Sequence, residues 1–249
     1  MFVAASTTCF PELSLVDAIE RLADLEYSAV VIDISDGSKQ LTPDIVAGNL
    51  ETAISICRDT HRLDMAGYTI DIRATGEDHY ELFSAICKLA KATKVASITV
   101  PSGELGTPFN EEVEHYRRLV QIATVDGLKI SMRTQSGRLS QDPDTIKVMC
   151  DNVKGLGVTL DPSTFIYKPV SKKGYEMLLP YVYHTELRDT SDKQFQVQVG
   201  RGSVDYSKLI NYLRRMDYRR ALCVKMDELP ETDHNSEMRK MRRLLESLL

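Results

Sequence analysis

Leu128, Ile130 and Met132 alternate with Lys129, Ser131 and Arg133, the two-residue period of a strand. A polar run, Thr134-Gln135-Ser136-Gly137-Arg138, then ends it. The same motif of a short apolar run followed by a turn recurs along the chain. It predicts strands at Phe2–Ala5, Ala29–Ile34, Met65–Ile72, Val95–Val100, Leu128–Arg133, Gly157–Asp161, Tyr181–Leu187 and Ala221–Met226.

Between these strands the period lengthens to that of a helix. Ser14 and Asp17 form a capping pair ahead of Leu15, Ala18, Ile19, Leu22 and Leu25. Thr42-Pro43 opens a second helix carrying Val46, Leu50, Ala53, Ile54 and Cys57, with proline where its missing N–H costs nothing. Further helices are predicted from Asp78, Asn110, Asp142-Pro143 and Asp205, with a short one near Lys172–Leu179 ended by Pro180. A last helix runs from about Ser236, with Met238, Met241, Leu244, Leu245 and Leu248 inward. Eight strand-then-helix units argue a parallel sheet closed into a (β/α)8 TIM barrel, one α/β domain over residues 1–249. The competing open, doubly wound sheet would want a glycine-rich phosphate loop after its first strand. The nearest match, Gly200-Arg201-Gly202, comes late and lacks a third glycine.

Composition narrows the function. A net charge of −5 lacks the bulk basic footprint of a nucleic-acid binder. No apolar run is long enough for a membrane span, and the N-terminus does not read as a signal peptide. Five widely spaced cysteines, with no CxxC pair, read as reduced and buried, so the expected location is cytoplasmic. Cys9 is the best of them for a catalytic role. His61, His79, His115 and His234 fall away from strand C-termini and are read as surface residues.

Barrels of this kind place chemistry at the C-terminal ends of their strands. Those ends carry Cys9, Asp33, Asp71 and Pro101 in the first half of the chain. The second half carries Arg133 with Gln135, Asp161 with Thr164, His184 with Arg188 and Asp189, and Lys225 with Asp227.

The segments CFPELSLVDAIERLADLEYSAVVIDI, SGRLSQDPD, GVTLDPSTFI, YVYHTELRDT, QVQVGRGSVDY and the terminal RRLLESLL together resemble the xylose isomerase-like TIM-barrel family. That group comprises sugar phosphate isomerases and epimerases, with family-2 AP endonucleases as cousins. The resemblance implies a divalent metal held by a Glu ending strand five, an Asp ending strand six, a His on strand seven and a Glu ending strand eight. Carried over, the Asp is Asp161 and the His is His184, but the two glutamates fall on Arg133 and Lys225. Two accessory histidines of the family fall on Gln135 and Thr164. A guanidinium has no lone pair for a metal, and lysine would first have to lose its proton. The expectation is therefore a site without metal or other cofactor, and the endonuclease chemistry is disfavoured.

Three readings of Arg133, Asp161, His184 and Lys225 follow. In one they are a salt-bridged plug in a barrel that acts as a non-catalytic sensor or scaffold. In the second, Asp161 neutralises only one of the two cations, and about one positive charge remains to bind a sugar phosphate, sugar acid or other small anion. Arg188 and Arg201 would then add to the ligand patch with Gln135 and Thr164. In the third, Lys225, with Asp161 and His184, serves a metal-free isomerase or lyase as base or Schiff-base nucleophile. Pairing as a homodimer is an expectation by resemblance alone.

Overall fold

The computed structural model describes residues 1–167 and 173–249. Eight parallel strands close in sequence order into a barrel: β1 (Phe2–Ser6), β2 (Ala29–Ser35), β3 (Asp64–Asp71), β4 (Ser97–Val100), β5 (Lys129–Arg133), β6 (Leu156–Leu160), β7 (Val182–Leu187) and β8 (Ala221–Val224). β8 closes onto β1 in the register Phe2↔Ala221 to Ala5↔Val224. The expected strands and the (β/α)8 architecture are all present.

The pleat sorts side chains between two cores. Outward residues such as Val30, Ile32, Ile34, Val158, Leu160, Leu222 and Val224 join one large cluster with the apolar faces of the helices. Burying each such side chain contributes roughly 1.5–3 kcal/mol. Inward residues form layers. Ala4, Ala29 and Ala221 pack together at the floor, with Ala66 against them. Above them lies a buried hydroxyl layer: Thr159 Oγ1 is 2.8 Å from Thr99 Oγ1 and 2.7 Å from Ser131 Oγ. Gly157 keeps the floor open for an aromatic ring, because a Cβ there would overlap Tyr183.

The helices surround the barrel: α1 (Leu15–Asp24), α2 (Pro43–Gly48), α3 (Leu50–Arg58), α4 (Gly76–Ala92), α5 (Phe109–Val125), α6 (Pro143–Asn152), α7 (Ser163–Ile166), α8 (Tyr206–Arg215) and α9 (His234–Glu246). Ser14 caps α1 as its sequence requires, accepting from Asp17 N. The single helix expected after Thr42 is instead two. Gly48 favours helix poorly, and Asn49 leaves the helical region (φ −150°, ψ 85°) to cap α3 through Thr52 N. The short helix expected from Lys172 begins outside the described residues, and the described part is a 3₁₀ segment, Glu176–Tyr181, containing Pro180. His234 is corrected from surface to core: it starts α9, is 8% exposed, and its Nε2 lies 2.8 Å from Cys9 O. No helix among the described residues is long and apolar enough to cross a membrane.

Candidate functional site

Thr159 on β6 pairs with His184 on β7. The next inward residue on each strand, two positions on, is Asp161 and Glu186. Glu186 in turn pairs with Cys223 on β8, two positions before Lys225. Arg133 is in register with Thr159, and Lys225 lies two residues beyond the partner of Glu186. Their long side chains bring both cations onto Glu186, which stands with Asp161 one inward position beyond His184 and Thr159.

Glu186 is the centre of that arrangement. Its carboxylate is 2% exposed and takes both neighbouring cations. Arg133 Nε lies 3.2 Å from Oε1 and 3.1 Å from Oε2. Lys225 Nζ lies 3.2 and 3.1 Å from the same two oxygens. These two guanidinium and ammonium charges hold the Glu186 carboxyl, against the opposing effect of burial, down at about 2. Burial first, and the Arg133 charge second, pull the Lys225 ammonium below its ordinary value, while Glu186 opposes them.

Asp161 has a different partner from the one expected. It does not sit between Arg133 and Lys225 as their shared counter-ion. It pairs with Arg188, whose Nε lies 3.2 Å from Asp161 Oδ2 in a contact not aligned as a hydrogen bond. Ser163 N donates to Asp161 Oδ1 at 2.9 Å. Burial raises the Asp161 carboxyl, and the Arg188 guanidinium pulls against it. Arg188 also reaches the exposed Asp227 at 3.3 Å and stacks on Phe195, its Cζ 5.0 Å from the ring centroid.

The other expected residues separate into two groups. Gln135 borders the site and has a buried Oε1 with no hydrogen-bond partner. Arg133 Nη2 and His184 Nε2 are in the same condition. Burial lowers the His184 imidazole to about 4, so the ring is neutral at pH 7. Thr164 is fully buried and donates to Thr134 O at 3.3 Å, which makes it part of the frame beneath Asp161. Arg201 is exposed in the β7–α8 loop, its N–H donating to Gln198 O at 2.9 Å. Asp189 caps that loop: its carboxylate accepts from Thr190 N, Gly200 N and Gly202 N. A Cβ at Gly202 would collide with that carboxylate, so the Gly200-Arg201-Gly202 sequence serves a loop cap. Cys9 is 2% exposed, and burial pushes its thiol up to about 11, which makes it a poor nucleophile.

Sequence reasoning missed Glu186. The signal was present, since His184, Glu186 and Arg188 share one face of β7 at the strand's two-residue period. The resemblance drew attention to His184, and Glu186, two residues on along the same face, went unread. Asp33 on β2 is the other acid of the mouth. It is 8% exposed, burial raises its carboxyl, and the charges it feels most are Lys225 and Arg133. Among the described residues no three His, Cys, Asp or Glu side chains come together so as to hold a metal ion.

Solved structures of similar shape include D-allulose 3-epimerase from Methylomonas sp. (12% identity, TM-score 0.75, 100% of this chain and 98% of that one). A second is 3-keto-D-glucoside 4-epimerase from E. coli (12%, 0.75, 99% of each chain). A third is a xylose isomerase-like TIM barrel protein from Mycobacterium smegmatis in complex with magnesium (14%, 0.75, 100% and 98%). At these identities the likeness establishes the fold. No curated protein matches the chain in sequence. The family model for the xylose isomerase-like TIM barrel matches residues 19–247, and the chain belongs to that family.

Proposed function

We propose that this barrel binds a small anionic sugar derivative, a sugar phosphate or a sugar acid, at the β5–β8 side of its mouth, without the family's divalent metal. The donor set argues against the metal. Arg133 and Lys225 stand at two of the four ligand positions, and at about 4 Å a unit cation repels a divalent one by roughly 8 kcal/mol at an effective dielectric of 20. Glu186 cannot replace the missing glutamates as a free ligand, because both of its oxygens are taken by those two cations.

The observation that carries the reading is Arg133 Nη2, a buried charged donor without a partner beside Lys225. A buried guanidinium N–H left unpaired is costly, and a ligand oxygen would satisfy it. The charges agree. Within the ion-paired cluster, three largely buried cations, Arg133, Lys225 and Arg188, face two buried carboxylates, Glu186 and Asp161, which leaves that cluster one positive charge, with Asp33 nearby but outside its ion pairs. Asp227, the remaining acid in contact, is 75% exposed and screened by water. Lys225 enters this reading as a cation. A Schiff-base role would need its neutral amine, a form that burial and Arg133 favour and that the ion pair with Glu186 opposes.

The test is thermal stability against a panel of phosphate, sulfate, sugar phosphates and sugar acids. A binding anion at a hundredfold excess over its Kd should add about 2.7 kcal/mol. That raises the midpoint by about 5–10 °C for a chain of this size. Arg133→Met should abolish the shift, and Mn²⁺ or Mg²⁺ should give none. Equal behaviour of wild type and Arg133→Met across the panel would leave the salt-bridged plug as the better account. Stabilisation by the metal that vanishes in Asp161→Asn would sink the metal-free reading.

A further inference from the structure

The β1–β2 edge of the mouth has a different chemistry from the ion-paired side. A cavity of about 310 Å³ opens there, lined by Thr8, Asp33, Ser35, Ser38 and Gln40 among others. Its wall holds hydroxyls, an amide, the carboxyl groups of Asp33, Asp36 and Glu12, and the Lys39 ammonium, which pairs with Glu12. Gln40 is fixed by two bonds from Nε2, to Thr7 O and Phe10 O at 3.0 Å each. Its Oε1 is left buried and unpartnered. Asp33 is held from behind, its N–H donating to Thr7 Oγ1 at 3.1 Å. Among the described residues its carboxyl forms no ion pair. β1 pairs with both β2 and β8, so Asp33 and Lys225 flank one strand end, and Asp33, on the cavity wall, feels the Lys225 and Arg133 charges.

We propose that this cavity is the polyol half of the site and that the ligand is a sugar acid, with one carboxylate at Arg133 and Lys225 and a hydroxylated chain reaching to Asp33 and Gln40. This rests on the anion site proposed above. Two features select the class. The ion-paired cluster carries one excess positive charge, which a monoanionic carboxylate closes, whereas a phosphate dianion brings a second charge up to a cavity already lined by Asp33, Asp36 and Glu12. A wall that mixes acceptors and donors at fixed positions matches the alternating donor and acceptor capacity of sugar hydroxyls. Burial raises the Asp33 carboxyl above its ordinary value, against the pull of a Ser35 hydrogen bond and of the Lys225 and Arg133 charges.

Calorimetric Kd values for four probes test this in the full chain: D-gluconate, propionate (the carboxylate without hydroxyls), D-glucitol (the chain without charge) and D-glucitol 6-phosphate. Gluconate should bind at least about tenfold more tightly than propionate, since two or three added hydrogen bonds are worth that much, and more tightly than D-glucitol, which lacks the charge, and D-glucitol 6-phosphate, which carries a second one. In Asp33→Ala, and separately in Gln40→Ala, the gluconate-to-propionate ratio should fall to within about threefold. Two variants are used so that a folding defect in one does not decide the matter. Equal binding of propionate and gluconate to wild type, or a ratio unchanged in both variants, removes the polyol subsite and leaves the anion site standing. Tighter binding of D-glucitol 6-phosphate than of gluconate overturns the sugar-acid assignment. If none of the three anions binds, the proposed function fails and this inference fails with it.

Discussion

The two halves of the barrel mouth share one backbone geometry and differ in charge. The strand ends of β5–β8 carry Arg133, Asp161, Glu186, Arg188 and Lys225, tied by ion pairs at 3.1–3.2 Å. Among the described residues no salt bridge joins the strand-end side chains of β1–β4, where Asp33, Ser35 and Thr8 line an open polar cavity instead. Yet the strands beneath are continuous, registered from Phe2↔Ala221 round to Leu187↔Val224. The outward apolar core and the buried hydroxyl layer hold the barrel, so charges at its rim can be exchanged without altering the fold. The fold therefore says little about which ligand the rim takes, and the charged half says a good deal.

Removing the centre of the charged half should produce the largest effect. Glu186→Ala leaves two mostly buried cations facing each other without their carboxylate. Breaking a buried pair from one side costs about 3–5 kcal/mol. For a chain of this size that lowers the midpoint by about 6–20 °C. Anion rescue sharpens the comparison: sulfate should recover part of the loss in Glu186→Ala and much less in the double variant with Arg133→Met. A Glu186→Ala protein as stable as wild type would mean that the two halves do not differ energetically.

The second prediction concerns acid. His184 has its pKa depressed to about 4 from 6.5, so the folded protein holds the ring neutral while the unfolded chain takes up a proton. Stability should therefore fall as pH drops from 6.5 towards 4. Glu186, depressed from 4.5 to about 2, contributes stability present above 4.5 and lost as pH falls through 2. Each shift corresponds to about 3 kcal/mol. Denaturant midpoints measured from pH 7 to pH 2 should show a two-stage decline. His184→Gln should flatten the upper stage, and Glu186→Gln the lower. An upper stage that persists in His184→Gln would place its origin elsewhere.

Most of the fold was legible because strand and helix periods are local properties, and the eightfold alternation left one closed architecture to satisfy them. The break at Gly48-Asn49 was less so, since Val46, Leu50 and Ala53 keep one apolar face across it. In the site, Arg133 and Lys225 were legible as cations at strand ends. Their partner was not, because pairing across a barrel depends on which inward layer each residue occupies. Asp161 and Glu186 are each two residues beyond registered neighbours, and on β7 a step of one layer, two residues, separates a neutral imidazole from a carboxylate. His234 was misread for a similar reason. It begins a helix, where an exposed residue is expected, but the β1 loop folds over it and brings Cys9 O to its ring.

The smallest effect should come from the other half. Asp33 is buried without an ion-pair partner among the described residues, and burial raises its pKa despite the pull of Lys225 and Arg133. The folded protein thus holds that proton more tightly than the unfolded chain does. The contribution of Asp33 is most favourable at low pH, below the ordinary carboxylate value, and is lost as pH rises through the raised value. Asparagine keeps the shape and never ionises. Asp33→Asn should therefore be more stable than wild type at pH 7, by about 0.5–1 kcal/mol, a common size for one stabilising substitution. The gain amounts to about 1–4 °C in the midpoint and should vanish near pH 3. The opposite sign would be equally informative. A variant less stable than wild type at pH 7 would mean that the Asp33 carboxylate is stabilised by the cations it would then share with Glu186. The ion-paired network would then extend across β1, and the boundary between the two halves of the mouth would lie beyond β2.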